Sequence, residues 1–334
     1  MRTITGRPGN TNSPAGHHEP PAASLKLRVA LFIRRHHLAP YFMLVPSIIA
    51  VGIMVVYPAV QILAHSFQNY GLLQVVGRQP ITWVGFSNYS LILHDPEFWS
   101  SLRISLIFAA VVVPLTLITG TLVGLLLNRL GRKMSAFVSG AAMLAWATPA
   151  VTASVIFYWL ANPDGGVVDW TLANMPHWLG GGAHWAGYSW TNSTLPAYTL
   201  LTVLLIWQSF PFIAVSVLAG LKTVPAELHE SARVDGANSW RIFWRITFPL
   251  LKPIYLVLLL LSIIWDFGAF TQVYILIGPG NTDEYNLGMY EYQRAFTTPP
   301  SFSIASAAAF VLTLVLLIIT VGYVRSSVRQ GAIK

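Results

Sequence analysis

Cysteine is absent from this sequence of 334 residues, and charged residues are scarce. Without cysteine the chain forms no disulfide bond, carries no thiolate nucleophile and offers no cysteine ligand to a metal. Asp, Glu, Lys and Arg make up only 10% of the residues, whereas soluble globular domains carry roughly 25%. Hydrophobic residues reach 54%, and the mean hydropathy is +0.59. This balance excludes a soluble globular fold and indicates an integral membrane protein.

The sequence also lacks the phosphate-binding loop of nucleotide-hydrolysing proteins. The pattern of that loop, G-x-x-x-x-G-K-[ST], occurs nowhere in the chain. There is also no cluster of carboxylates or histidines of the kind that a membrane-embedded glycosyltransferase needs. We therefore expect a protein that is not itself an enzyme, and any ATP hydrolysis that drives it has to occur on another chain.

Six apolar stretches are long enough to form transmembrane helices. A hydrocarbon core about 30 Å thick requires about 20 apolar helical residues. Asp266 is the only charged residue in any of the six. The sequence thus predicts an all-α integral membrane protein, with a six-helix transmembrane domain over residues 38–325. The stretches cover residues 40–64, 104–127, 136–160, 196–220, 254–277 and 303–324.

The basic residues fall almost entirely on one side of these predicted helices. All but three of the 20 Lys and Arg residues lie in the N-terminal tail, the loops 128–135 and 221–252, or the C-terminus. Lys and Arg concentrate in cytoplasmic loops, so both termini are expected to be cytoplasmic. The net charge of +8 is therefore a signal of topology, and we expect no nucleic-acid partner.

Both ends of the chain are predicted to be tails. Residues 1–37 are polar, rich in proline and end in a basic cluster, which indicates a disordered cytoplasmic segment. The apolar run that follows is longer than the core of a cleavable signal peptide, so we expect a retained first helix. Residues 326–334 are predicted to form a short cytoplasmic C-terminal tail.

Several predicted helices contain proline or closely spaced glycine. Pro114, Pro149 and Pro211 lie inside apolar runs, and Gly120 and Gly124 form a G-x-x-x-G pair. We expect the prolines to be tolerated kinks and the glycines to permit close helix packing.

Two long external loops, residues 65–103 and 161–195, are rich in tryptophan. One interpretation is a belt of aromatic residues at the membrane interface. The other is a docking surface for an external partner, and the sequence leaves both open. The indoles are at Trp83, Trp99, Trp170, Trp178, Trp185 and Trp190.

The cytoplasmic stretch 221–253 is longer and more patterned than a simple connection requires. Pro225 marks a helix start, and Asp235-Gly236 is a turn signal. A second, amphipathic helix is predicted after the turn, with Pro249 and Pro253 closing it. Such a helix pair packs against its own bundle or fits a groove on a soluble partner. The apolar residues of the second helix recur at i, i+3, i+4 and i+7, namely Trp240, Phe243, Trp244 and Thr247.

This stretch resembles the EAA loop of binding-protein-dependent ABC importer permeases. The family pattern is roughly E-A-A-x-x-D-G-A, followed by I-x-L-P. Ser231 and Phe248 are mild departures from it. Two external segments and residues 274–280 are also similar to the carbohydrate-uptake branch, the maltose- and glycerol-phosphate-type inner-membrane components. The matching pieces of the loop are Glu230-Ser231-Ala232, Asp235-Gly236-Ala237 and Ile246-Thr247-Phe248-Pro249.

The resemblance implies a type I ABC importer permease fold and a role for each loop residue. Glu230 would pair with a basic residue of an ATPase subunit. Ala232 would permit close packing there, and Asp235 and Gly236 would form the turn. The implied partners are an ABC ATPase dimer that binds ATP and Mg²⁺, a second homologous permease, an external solute-binding protein, a sugar and membrane lipid. No cofactor is expected on this chain, and its expected location is the bacterial inner membrane.

The resemblance also suggests a substrate path for a sugar or oligosaccharide. Gly268 and Thr271 stand where relatives often carry Asn and Asp, which indicates a different ligand. For Asp266, a purely structural interhelical hydrogen bond stays open. An alternative function is an ion-coupled secondary transporter in which Asp266 binds the ion. The expected path residues are Gln208, Ser209, Phe212, Trp265, Asp266 and Gln272.

Overall fold

The computed structural model describes residues 39–279, 285–297 and 299–329. Two compact units are distinguished, one ending at Ala59 and the other beginning at Val60. The predicted N-terminal tail, Gly280 and the last five residues lie outside the described residues, so their predictions stay untested. In the described part, five helices are long and apolar enough to cross a membrane, and a bent pair makes up to six. The all-α membrane fold is confirmed.

An irregular segment separates the first candidate span, which ends at Ser66, from the second, which begins at Pro96. Helix α1 (Ala39–Val51), a π-helical turn (Gly52–Val56) and α2 (Tyr57–Ser66) come first. Strands β1 (Gln68–Asn69) and β2 (Thr82–Trp83) pair antiparallel, with Gln68 opposite Trp83. The remaining elements of this part are α3 (Leu72–Val75), α4 (Ser87–Leu93) and the long α5 (Pro96–Arg129).

Helix α5 begins eight residues earlier than its apolar stretch. The Asp95 side chain accepts a hydrogen bond from the Glu97 backbone N–H at 3.0 Å, and Pro96 occupies the first helical position. An Asp cap followed by proline favours helix initiation because the Asp carboxylate satisfies a first-turn N–H that has no partner within the helix, and proline has no N–H to satisfy. This polar first turn extends the helix beyond its apolar stretch.

The third predicted span is broken. Helices α6 (Arg132–Ala147) and α7 (Ala150–Leu160) meet at an angle of 94°. The prediction that Pro149 is a tolerated kink is wrong. Proline has no N–H to donate and disfavours helical backbone at the preceding residue, and Thr148 is accordingly extended (φ −68°, ψ 125°).

The fourth span, α9 (Thr194–Leu221), packs closely against α5. A Cβ on Gly120 would collide with Ile213, and one on Gly124 would lie 2.8 Å from the Ala214 carbonyl oxygen. The predicted role of these glycines in close packing is confirmed. The segment between α7 and α9 holds α8 (Val167–Asn174) and two short 3₁₀ turns.

The fifth span starts earlier and ends earlier than predicted. After α10 (Ala226–Val234), helix α11 (Ser239–Ile242) continues through a π-helical turn (Phe243–Thr247) into α12 (Phe248–Phe267). The prediction that Pro249 and Pro253 close a separate helix is wrong. The Phe248 N–H bonds back five residues to the Phe243 carbonyl, and this wider turn admits a proline that cannot donate.

A break at Gly268 and Ala269 separates α12 from α13 (Phe270–Leu276), so the predicted span 254–277 is not continuous. Helix α14 (Leu287–Phe296) then precedes the last span, α15 (Phe302–Arg329). The buried core groups α5, α7, α9 and α13 around Leu201, Leu204 and Val273.

Candidate coupling surface and substrate path

The four predicted coupling residues lie together on α10 and its C-terminal turn. Gly236 adopts φ 76°, a left-handed conformation that favours glycine. Its N–H bonds to the Arg233 carbonyl at 3.0 Å, and the Ala237 N–H bonds to the Ala232 carbonyl at 2.9 Å. These bonds end the helix and turn the chain toward α11. Glu230 is exposed on α10, which leaves its carboxylate accessible.

The apolar side chains of this surface are not covered by the described part of the chain. No residue of α10, all of which the structure describes, is buried. Val234 is 88% exposed and Trp240 is 71% exposed. Exposed apolar groups of this size on a folded element are typical of an interaction site.

A hydrogen bond that the sequence did not predict joins α10 to the fifth span. His229 Nε2 lies 3.1 Å from Thr247 Oγ1, and Thr247 is buried. Thr247 ends the π-helical turn from which α12 continues. No sequence signal predicted this contact, because Trp240 and Trp244 belong to the same i, i+3, i+4, i+7 set as Thr247 and are exposed.

The amide side chains of the predicted substrate path lie where two broken spans meet. Gln208 Nε2 on α9 donates to the Thr148 carbonyl oxygen at 2.9 Å. Gln272 Nε2 on α13 donates to Gln208 Oε1 at 3.3 Å. The Thr148 carbonyl is free to accept because Pro149 interrupts the helix there. Thr148 was not predicted as a path residue, although the proline that follows it within an apolar run indicates a carbonyl group without a helical partner.

Three aromatic side chains form a wall beside these amides. The rings of Trp146 and Phe212 stack at 5.5 Å with planes 19° apart. Phe212 and Trp265 meet edge to face at 5.5 Å. Phe212 also lines an apolar cavity of about 340 Å³ against α12. The aromatic wall is therefore Trp146, Phe212 and Trp265, and Trp146 is the member that sequence reasoning missed.

Asp266 and Ser209, the two remaining predicted path residues, are not part of the aromatic wall. Asp266 is 2% exposed, on the same buried face of α12 as Ser262, and its Oδ2 has no hydrogen-bond partner among the described residues. Trp265 is 42% exposed and lies on the other face. Ser209 is half-buried. The structure thus joins Gln208 to Gln272 by a hydrogen bond and Phe212 to Trp265 by a ring contact, and it buries Asp266 on a different face of α12 from Trp265.

An ion-pair cluster joins α14 to the start of α5. Arg294 lies 2.6 Å from Asp95 Oδ2 and 3.0 Å from Glu97 Oε2. The Tyr290 hydroxyl donates to Asp95 Oδ2 at 2.8 Å, and burial raises the pKa of that phenol. Neighbouring Glu291 has a buried Oε1 without a hydrogen-bond partner in the described part, and burial raises its pKa to about 8.

The tryptophans of the two loops predicted to be external divide into exposed and packed groups. Trp170 and Trp178 are exposed, whereas the Trp190 Nε1–H donates to Asp169 at 2.7 Å and its ring stacks on Trp185. This division leaves both the interfacial belt and the docking surface open. No group of three or more metal-ligating side chains occurs in the described ranges.

Residues 117–330 match the family described as the binding-protein-dependent transport system inner membrane component. The chain belongs to this family. The diacetylchitobiose uptake system permease protein DasB of Streptomyces coelicolor is 38% identical over 296 residues, with 88% of each chain covered. The sulfoquinovosyl glycerol transport system permease protein SmoG of Agrobacterium fabrum is 31% identical, covering 85% of this chain and 88% of the relative.

Two solved structures share the fold. A bacterial ABC transporter involved in the import of the acidic polysaccharide alginate matches with a TM-score of 0.73 at 23% identity, covering 90% of this chain and 99% of that one. The alginate transporter in complex with an alginate pentasaccharide-bound periplasmic protein matches with a TM-score of 0.74 at 22% identity, covering 90% and 98%.

Family membership confirms the resemblance drawn from the loop motif. The chain is a multi-pass membrane permease subunit of a binding-protein-dependent import system. Its relatives are transport subunits rather than enzymes. The alternative of an ion-coupled secondary transporter receives no support from these relatives.

Proposed function

We propose that this permease translocates a sugar or oligosaccharide delivered by an external solute-binding protein, with ATP hydrolysed on a separate subunit. The observation that carries the proposal is the continuous helix Ser239–Phe267, which is 29 residues long. At about 1.5 Å per residue it runs for roughly 43 Å. Trp240 lies near one end, beside the coupling turn, and Trp265 lies near the other. One rigid element therefore links the coupling surface to the substrate path.

The proposed assembly has both termini and residues 221–253 in the cytoplasm of a bacterium, as the Lys and Arg distribution indicates. The exposed face of α10 docks on an ABC ATPase dimer that binds ATP and Mg²⁺. Glu230 pairs there with a basic residue, and Ala232 lets the partner approach closely. A second homologous permease completes the pathway through the inner membrane. The periplasmic protein in the alginate complex supports a solute-binding protein as the external partner.

The chemistry of the proposed substrate path suits a carbohydrate. Flat aromatic faces pack against the C–H faces of pyranose rings, and the side chains of Gln208 and Gln272 donate to and accept from hydroxyls. Gln272 donates to Gln208, and Gln208 donates to Thr148, so a cargo hydroxyl that binds either amide replaces one of these hydrogen bonds. The relatives that carry diacetylchitobiose and sulfoquinovosyl glycerol support a sugar-containing cargo.

Asp266 and Ser209 belong to the same proposed path. Asp266 Oδ2 is an acceptor without a partner among the described residues, and a buried polar group in that state is costly. A cargo hydroxyl satisfies it once the helices separate. Such a separation is a rigid-body switch between inward- and outward-facing states.

The test is uptake of labelled oligosaccharides into proteoliposomes that contain the permease, its ATPase, the second permease and the binding protein. We expect uptake that requires ATP and is lost in Glu230→Lys. Glu227→Lys is the matched control, because Glu227 is also an exposed acid on α10 but lies outside the motif. Uptake that needs an ion gradient and no ATP would refute the proposal.

A further inference from the structure

A cavity of about 570 Å³ lies apart from the substrate path, between the C-terminal ends of α5 and α9 and the first turns of α6. One wall is apolar and includes Leu127, Val215 and Leu218. These helices are candidate membrane spans, so the wall is at the depth where a span enters the bilayer. An apolar surface there suits a hydrocarbon chain.

The lining of the cavity also contains two basic residues. Arg132 and Lys222 both line it, and both are exposed. The salt bridges of the described residues all involve Arg294, so neither cation is neutralised by a carboxylate there. Two unpaired cations facing one cavity favour an anionic ligand.

Two further features of α6 point to the same ligand. Ser139 also lines the cavity, and its Oγ is buried without a hydrogen-bond partner in the described part of the chain. A phosphate or glycerol oxygen would accept a hydrogen bond from this hydroxyl. The first turn of α6 lies at the cavity wall, since Arg132 and Ser135 both line it. Backbone N–H groups and the helix dipole at such a turn favour negative charge.

We propose that this cavity binds the phosphate headgroup of an anionic phospholipid from the cytoplasmic leaflet, with an acyl chain against the apolar wall. The assignment to the cytoplasmic leaflet depends on the proposed orientation of the permease, whereas the binding of an anionic lipid does not. A free phosphate would use the cations but leave the apolar wall without a partner. Basic pockets between spanning helices on the cytoplasmic side are suited to lipid headgroups.

The test is native mass spectrometry of the full-length permease in mild detergent, titrated with phosphatidylglycerol or phosphatidylcholine. Each basic residue contributes roughly fivefold to anionic-lipid affinity, so Arg132→Gln/Lys222→Gln should weaken phosphatidylglycerol binding roughly 30-fold. The matched control is Arg129→Gln/Lys133→Gln, which removes two exposed cations near the cavity but not on its wall. We expect the control to change the affinity little. Circular dichroism establishes that both variants are folded.

Three results would overturn the proposal. Equal loss in both double variants would mean that diffuse charge attracts the lipid. Equal binding of phosphatidylcholine would mean that the headgroup charge is irrelevant. Complete displacement by inorganic phosphate at the same concentration would identify a free-anion site. If the double variant does not fold, Ser139→Ala, which keeps both cations, has to weaken phosphatidylglycerol binding by itself. Lipid binding is measured by mass spectrometry and transport by uptake assays, so a loss of lipid binding can be distinguished from a failure of the transport proposal.

Discussion

Removal of the bond between His229 and Thr247 tests how movement of α10 reaches the fifth span. The two side chains are 3.1 Å apart. A neutral hydrogen bond contributes about 0.5–1.5 kcal/mol, and a buried hydroxyl left without a partner costs about 1–3 kcal/mol. The two ranges overlap at about 1–1.5 kcal/mol, so we expect His229→Ala to weaken the connection by that amount, a factor of about 5 to 10.

The assay is cargo transported per ATP hydrolysed in proteoliposomes. His229→Ala should lower this ratio about fivefold to tenfold, while the complex still assembles and hydrolyses ATP. Thr247→Val keeps the shape of the side chain but removes the hydroxyl, and it should have a similar effect. Because both changes break one bond, the double variant should be no worse than either single variant. Fully additive losses, or an unchanged ratio in His229→Ala, would refute the reasoning.

Three other predictions concern Phe212 of the aromatic wall, the packing of Gly124 against α9, and the buried carboxyl group of Glu291. Phe212→Ala removes a ring that we expect to pack on the cargo, and a contact of the size of an aromatic pair, about 0.5–1.5 kcal/mol, should raise the half-saturating cargo concentration about twofold to tenfold in uptake assays; an unchanged value would remove Phe212 from the path. Gly124→Leu overpacks the contact with α9 and should lower the free energy of unfolding in detergent by about 1–3 kcal/mol, whereas Gly140→Leu, which meets open space, should not. Burial raises the pKa of Glu291 from 4.5 to about 8, so the folded state holds this proton more tightly than the unfolded state, and stability should fall as pH rises from 4.5 to 8; Glu291→Gln should flatten that part of the profile, and an unaltered slope would contradict it.

Apolar length and loop pattern were enough to predict the helical membrane fold and α10 with its turn. Helix continuity was harder to predict, because the effect of a proline depends on hydrogen bonds that neighbouring turns make. Pro149 breaks a span, whereas Pro249 sits in a continuous helix because the π-helical turn before it needs no donor at that position.

The resemblance predicted coupling residues that fall within one motif. These residues occupy consecutive turns and therefore lie close together in the structure, whereas their coupling role stays a prediction. The bond between Gln208 and Thr148 joins residues 60 positions apart, and the ion pair between Asp95 and Arg294 joins residues 199 apart. Such pairs depend on how the spans pack, and no local pattern encodes them.

The most direct test of the proposed importer is affinity purification of the tagged chain from native membranes in mild detergent, with the bound proteins identified and quantified. We predict that a P-loop ATPase and a second six-helix permease co-purify in stoichiometric amounts, and that Glu230→Lys loses the ATPase but retains the second permease. Recovery of the chain alone or as a homodimer would contradict the account, because α10 would then have no ATPase to contact.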